Sequence, residues 1–414
     1  MVSILLSRFS FLFMKSIRIT LLFTFVGVLL LVQGCEQAEE KIEPVPTVFG
    51  TTTDNITVDG MTFDVRGVVY VPFAPGYLPW VFEYDNQLPD ILINRINDDI
   101  DSIDAMGVNT IRLWGAPKYC YDRIAKTTEL LILQTIWLEG EHADFRSPDF
   151  INSSKTIIHE VTQKIFSTIS SENPPIFAYL IGNELSRQSI LNTNQAHPGT
   201  YSFTGEYIQT DTSLSATELT LAELADYLKQ VVVSYTSVEP LVSYSNELRT
   251  YDILDTPFLD FRCYNVYSYA VDYYIANPPT GSSSGTITQG FIEQLKNEYP
   301  ELPLLVTETG LSVNPGGQNI GPPNYGYGGN SEDEQAAGLI QTINDIETAS
   351  PTIAGVIIHE FNDAWWKFGL EDSYSQDPDD VEEWFGLVAF TGEPSAWNIT
   401  PREAYHDIRD HWSE

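Results

Sequence analysis

Eight short apolar runs succeed one another between residues 64 and 359, with helical stretches in most of the intervals between them. The runs are Asp64 to Tyr70, Thr110 to Trp114, Leu131 to Trp137, Phe177 to Ile181, Leu241 to Tyr244, Phe258 to Asn265, Leu304 to Thr307 and Gly355 to His359. They are short, mostly rich in β-branched and aromatic side chains, and bounded by turn residues, as strands buried on both faces are. Asn94 to Met106, Ser154 to Ser171, Leu219 to Val238, Thr288 to Tyr299 and Asp333 to Thr348 carry apolar residues at helical spacing after polar starts. The connection between the fifth and sixth runs is too short for a full helix. Such alternation predicts an α/β fold with a parallel sheet, and eight strands close a single (β/α)8 TIM barrel. Residues 61–414 suit one barrel of this kind, and length requires no second domain.

The first residues have a different character. Arg8, Lys15 and Arg18 precede an apolar run from Ile19 to Val32 that stops at Gln33-Gly34-Cys35, the layout of a secretory signal over residues 1–34. The run is shorter than the roughly 20 apolar residues a membrane span needs. Leu31-Val32-Gln33-Gly34-Cys35 resembles the lipobox of bacterial lipoproteins. That resemblance implies a lipid anchor on Cys35, with the protein held in the bacterial cell envelope, at the outer membrane. Met1 and Met14 both remain open as the start, because Met14-Lys15-Ser16-Ile17-Arg18 is already a compact basic segment. Residues 35–60 read as the anchored cysteine and a polar, acidic tether. Acidic residues such as Glu36, Glu39 and Glu40 resemble the surface-export signals of some Bacteroidetes lipoproteins, and a plain linker is the other reading.

The net charge is −36, and it becomes −39 without the leader, which holds three basic residues and no acidic one. Such a surface repels nucleic acid and anionic polysaccharides, whereas a neutral glycan meets no penalty. Cys120 and Cys263 fall on roughly opposite sides of the expected barrel and are expected to be unpaired thiols. His142, His159, His197 and His359 have no metal-ligand spacing. The acidic stretch Asp377-Pro378-Asp379-Asp380 with Glu382 and Glu383 reads as a solvated loop rather than a calcium site. No cofactor and no metal are expected, and the protein is expected to be a monomer.

Function is written at the C-terminal ends of barrel strands. The polar and aromatic residues there are Tyr70, Arg112, Asn183, Glu184, Tyr264, Asn265, Tyr267, Glu308, Glu360, Asp363, Trp365 and Trp366. A buried carboxylate is expensive without a partner, so Glu184 and Glu308 at equivalent points of two strands imply a shared polar pocket. The chemistry that most often needs two facing carboxyls is glycoside hydrolysis. Two loops are also suited to sugar. Pro72 to Asp85 carries Phe73, Tyr77, Trp80, Phe82 and Tyr84, and Asn314 to Gly329 is rich in Gly, Pro, Asn and Tyr. Aromatic faces hold the apolar face of a pyranose ring, although the same side chains also pack loops onto a barrel.

This set of strand ends resembles clan A glycoside hydrolases, with Asn183-Glu184 after the fourth strand and Glu308 at the end of the seventh. The resemblance implies retaining hydrolysis with Glu184 as acid/base and Glu308 as nucleophile. Several motifs look most like the β-1,3-glucan enzymes of families 17 and 72. Thr110-Ile111-Arg112-Leu113-Trp114-Gly115 is similar to their second strand, and Thr307-Glu308-Thr309-Gly310 to the family 17 nucleophile motif, with Leu311 where tryptophan is usual. Glu360-Phe361-Asn362-Asp363-Ala364-Trp365-Trp366-Lys367 resembles the family 17 eighth strand with Ala364-Trp365 where Glu-Pro is usual, and Val65-Arg66-Gly67-Val68-Val69-Tyr70 is closer to families 72, 2 or 5.

The remaining roles follow from chemistry. Arg112 is expected to pair with Glu308, and Tyr267, in preference to Tyr264, to orient it. Asn183 is placed to donate to the sugar 2-hydroxyl. Trp365 or Trp366 floors a sugar subsite, and the other is core because strand neighbours face opposite ways. Glu360 and Asp363 either bind sugar hydroxyls or anchor Lys367 or Arg112. The expected substrate is a neutral β-glucan, foremost β-1,3-linked. β-Mannan, β-1,4-glucan and transglycosylation are alternatives on the same barrel, and a non-catalytic surface glycan-binding lipoprotein is an alternative of another class.

Overall fold

The computed structural model describes residues 47–84, 87–275, 282–367, 374–393 and 396–413. The expected signal, Cys35, both candidate starts, the tether up to residue 46 and Asp85 lie outside the described residues. The fold begins earlier than the sequence suggests. Residues 49–63, most of which read as tether, form an antiparallel sheet of β1 (Phe49–Thr51), β2 (Ile56–Val58) and β3 (Met61–Phe63). Asp59 and Gly60, both at positive φ (52° and 77°), make the two-residue turn that pairs Val58 with Met61. This sheet packs Phe49 and Phe63 edge-on against Phe177, at ring distances of 6.4 and 5.8 Å. Reading these residues as tether missed it because each strand is only three residues long.

The eight expected strands are all present: β4 (Val65–Tyr70), β5 (Thr110–Leu113), β6 (Leu131–Ile136), β7 (Ile176–Asn183), β8 (Leu241–Glu247), β9 (Arg262–Asn265), β10 (Leu304–Thr309) and β11 (Gly355–Ile358). They pair in parallel, in chain order, and β11 closes onto β4, giving a (β/α)8 TIM barrel. Alternation sorts their side chains. Val65 and Val69 point into a barrel-interior cluster with Leu133, Phe177, Leu180, Leu305 and Ile357, while Val68, Ile111, Leu113, Ile132 and Val242 join the larger layer shared with the helices. Gly67 is required inside, because a Cβ there would lie 2.9 Å from the Ile357 side chain.

The five expected helices occur at Asp90–Asp104, Pro148–Phe166, Ala216–Val233, Ile287–Glu298 and Glu332–Glu347. Most start a few residues earlier than apolar spacing suggests, because their first turns are set by caps. Ser147 accepts from Phe150 N with Pro148 at the first helical position, and Ser215 and Ser331 form reciprocal capping boxes with Glu218 and Glu334. Helices at Lys118–Thr127, Arg187–Ala196, Ser268–Tyr274 and Glu403–Ser413 were not anticipated, nor was the hairpin of β12 (Val388–Glu393) and β13 (Ala396–Pro401). Cys120 and Cys263 are buried, free thiols.

Candidate active site

The polar centre is built on the inner face of the barrel. Arg112 is the third residue of β5 and alternates inward, where it is fully buried. A guanidinium so placed needs every donor engaged. Its Nε donates to Thr135 Oγ1 (3.1 Å), Nη1 to the Thr307 carbonyl (2.9 Å) and Glu308 Oε1 (2.8 Å), and Nη2 to Asn183 Oδ1 (2.8 Å). Glu308 Oε2 accepts from the Tyr267 hydroxyl at 2.7 Å. Burial, then the Glu308 charge, push that hydroxyl well above the ordinary tyrosine range, so Tyr267 is a neutral donor. Tyr264 lies outside the barrel, where its hydroxyl accepts from Arg262. Tyr70 also faces outward and donates to Asp99 at 3.0 Å.

The other carboxyl sits where strand geometry breaks. β7 shifts register against β8 between Leu180 and Asn183, Gly182 has φ 89°, and Glu184 itself lies in the left-handed region at φ 46°. That conformation costs a non-glycine residue on the order of 1 kcal/mol or more. It is held by neighbours: Glu184 N donates to the Ser245 carbonyl (3.0 Å) and Leu185 N to the Tyr244 hydroxyl (2.9 Å). Asn265 then fixes the carboxyl. Its Oδ1 accepts from Ser245 and Thr307, both at 2.9 Å, which turns its Nδ2 toward Glu184 Oε1 (2.8 Å). Burial, reinforced by the charges of Glu308 and Glu247, raises the Glu184 carboxyl to about 8, against the opposing pull of Asn265 and Arg249. The site therefore holds one carboxylate in an ion pair and one carboxyl that keeps its proton near neutrality, a pairing suited to nucleophile and general acid.

These groups line a cleft of about 1570 Å³ whose wall includes Trp80, Trp114, Trp137, Tyr269, Tyr327 and Trp366. The structure brings together Asn183, Glu184, Tyr267, Glu308 and, behind them, Arg112. It separates the rest of the expected set. Trp366 lines the cleft, edge-on to Trp80 at 5.9 Å. Trp365 is instead buried in a satellite core with Phe73, Phe390 and Trp397, so of the two tryptophans it is the core member and not a residue of the cleft. Of the two roles expected for Glu360 the structure shows the anchor and not the sugar ligand: it is 2% exposed, and its Oε1 accepts from Lys367 Nζ at 2.6 Å. Asp363 is a structural anchor, bound by both Nη atoms of Arg402 at 2.7 Å each.

Sequence reasoning placed Asn265 among the strand-end residues without giving it a role, and missed Glu247, Arg249, His359, Lys367 and Glu382 as members of the site. Arg249 bonds the Glu247 carboxylate through Nε and reaches Glu184 Oε2 at 3.6 Å through Nη2. Lys367 bridges Glu360, His359 and, at 3.7 Å, Glu382. The missed signal was the polar tail of β8, Ser245-Asn246-Glu247, which apolar patterning cuts off at Tyr244. Among the described residues, no group of three or more His, Cys, Asp and Glu side chains is placed to hold a metal.

No family model and no curated protein match the chain. Solved structures do. A β-glucuronidase 2 of Bacteroides uniformis, covalently bound to cyclophellitol-6-carboxylate aziridine, aligns with a TM-score of 0.58 and 16% identity over 89% of this chain and 37% of that one. A β-glucuronidase of Bifidobacterium dentium in complex with coumarin-3-O-glucuronide aligns with TM-score 0.58 and 15% identity, over 89% and 49%. A GH2 β-galacturonidase from Eisenbergiella tayi, bound to galacturonate, gives TM-score 0.56 and 16% identity, over 88% and 54%. The chain thus spans about a third to a half of these proteins' lengths, and what it shares with them at such low identity is the (β/α)8 barrel fold.

Proposed function

We propose that the protein is a retaining β-glycoside hydrolase acting on a neutral glycan, with Glu308 as nucleophile and Glu184 as acid/base. The observation that carries this reading is the opposite surroundings of two carboxyls in one cleft: Glu308 is paired with Arg112 and Tyr267, whereas Glu184 is bonded by Asn265, and burial with the like charges of Glu308 and Glu247 raises it to about 8. Glu308 attacks the anomeric carbon while Glu184 gives its proton to the departing oxygen. With the leaving group gone, Glu184 takes a proton from water, which displaces Glu308 and restores both groups. Asn183, whose Oδ1 is held by Arg112, presents its amide N–H to the sugar 2-hydroxyl.

Charge favours a neutral substrate over the uronic acids named for the aligned enzymes. Among the described residues of the cleft wall the two cations, Arg249 and Lys367, are already paired, Arg249 with Glu247 and Glu184 and Lys367 with Glu360 and Glu382. Glu83, Glu247 and Glu382 add carboxylates to the same wall, so a sugar carboxylate would meet repulsion with no unpaired cation among the described residues of the wall. The cleft exceeds the roughly 300–1,000 Å³ of a small-molecule site, and Trp80, Trp137 and Tyr273 stand more than half exposed along it, which suits an oligosaccharide. Among neutral glycans, the motifs around Arg112, Glu308 and Glu360 favour β-1,3-glucan. Cys35 gives the protein a lipid anchor in the cell envelope.

Product analysis with laminarin, mannan, mixed-linkage glucan and cello-oligosaccharides tests this. Laminarin fragments from the wild type and none from Glu308→Gln are expected. Cleavage of another member of the panel would replace the substrate while keeping the mechanism. Silence on all four, with retained glycan binding, would point to a binding protein.

A further inference from the structure

Beside the two carboxyls lies a group that the proposed mechanism does not use. His359 follows the last residue of β11, is 3% exposed and lines the cleft. Its ring is clamped between Trp114, 5.5 Å away and tilted by 31°, and the edge of Phe385, also at 5.5 Å. Lys367 Nζ lies 2.8 Å from Nε2. The opposite nitrogen, Nδ1, is buried, has no hydrogen-bond partner among the described residues and stands 3.5 Å from Glu308 Oε2. A buried polar atom without a partner calls for a reason.

The protonation states follow from donor counting. An ammonium has three donors and no acceptor. Burial opposes the charge on Lys367, but Glu360 and Glu382 more than offset it and hold the amine above its usual range. Nε2 must therefore accept from Lys367, and the single proton of a neutral imidazole must sit on Nδ1. A second proton is excluded, because burial, then Lys367 and Arg112, push His359 well below its ordinary range. The remaining charged or titratable neighbours are Glu308 on β10, Tyr267 after β9, Glu360 beside it and Glu382 across the cleft. None of them reverses this order.

We infer that Lys367 is a positioning residue that locks His359 as the Nδ1–H tautomer, so that His359 supplies Glu308 Oε2 with a second donor beside Tyr267. At 3.5 Å the donor lies at the edge of hydrogen-bond length, and such contacts tighten when a substrate fills the site. As Glu308 attacks, its lone pair becomes the new glycosyl bond, the negative charge ends on Glu184 as that group gives up its proton, and the demand on both donors falls. When water displaces it the charge returns, and the tautomer ensures that an N–H and not a lone pair faces it. The inverted tautomer would set a lone pair against the carboxylate. The effect on rate rests on the glycosidase reading; the tautomer does not.

Nitrogen NMR of ¹⁵N-histidine-labelled wild-type protein, with His359 assigned by His359→Gln, reads the tautomer directly. A protonated Nδ1 and a bare Nε2 are expected, with the Nδ1 resonance moving in Glu308→Gln. A protonated Nε2, or an Nδ1 signal unmoved by Glu308→Gln, would overturn the inference. Lys367→Met paired with Glu360→Gln removes both members of the buried ion pair and avoids stranding one charge. In this double variant the Nε2–H form should appear, and kcat on laminarihexaose should fall about 10- to 100-fold with KM within about threefold. A folded double variant with wild-type kcat would also overturn it. If the wild type leaves laminarihexaose intact, the substrate reading fails while the NMR result still decides the tautomer.

Discussion

Glu308 and Glu184 share one cleft but are held by contrasting surroundings. Glu308 stands near the end of β10, where the register also shifts, but its backbone stays out of the left-handed region; its side chain is 5% exposed, with Arg112, Tyr267 and His359 arranged around it. Glu184 stands on a strained turn with its side chain 28% exposed, beside an Arg249 that is 49% exposed and paired with Glu247. The first setting is rigid and rich in donors, which suits a group that must stay charged until it attacks. The second balances burial and like charge against Asn265 and Arg249, which suits a group that must give up a proton and take one back.

Substitutions can break this contrast, beginning with the most damaging. Glu308→Gln removes the attacking group and should lower kcat on a cleaved glucan on the order of 10⁴-fold or more, read by reducing-end release. Arg112→Met leaves Glu308 without its cation and Asn183 without its anchor. Rate should fall on the order of 10²- to 10³-fold, and unfolding in urea should show a loss of about 3–5 kcal/mol, because one half of a buried ion pair is stranded.

Glu184→Gln sharpens the comparison through pH. The folded value of about 8 lies above the ordinary carboxyl range, so folding favours the protonated form. That contribution is fully present below the unfolded value near 4.5 and is lost as pH rises through about 8. The glutamine variant lacks the penalty and should be about 1–2 kcal/mol more stable than wild type near pH 9, with the difference vanishing near pH 4 in thermal or urea unfolding. The same ionisation sets the alkaline limb of wild-type activity. Arg249→Gln should have the smallest effect. It removes an opposing charge from Glu184, so the alkaline limb of kcat/KM should move up by a few tenths of a pH unit, with little change in the maximum.

The barrel was legible because its strands are buried on both faces and read as apolar runs, and Glu184, Glu308, Arg112 and Tyr267 were legible from their places at strand ends. Glu247 and Arg249 were not, because β8 continues through Ser245, Asn246 and Glu247, whose polar side chains satisfy one another inside the fold. Hydrophobic periodicity cannot see such a continuation. Lys367 was named in the sequence only as a partner for Glu360 or Asp363; its contact with His359 depends on how the chain turns after β11. Trp365 and Trp366 lie in a turn beyond β11, where strand alternation does not apply, so which of them meets the cleft depended on the path of the chain. The hairpin at 388–401 and the final helix lay beyond the eighth strand, where the barrel pattern makes no demand.

The central claim, a double displacement between Glu308 and Glu184, is tested most directly by time-resolved proton NMR of the reducing ends released from laminarihexaose, or from whichever neutral glucan the protein cleaves. Retention predicts that β-configured ends appear first and relax to the equilibrium mixture by mutarotation. Initial release of α-configured ends would contradict it and leave Glu308 as a base rather than a nucleophile.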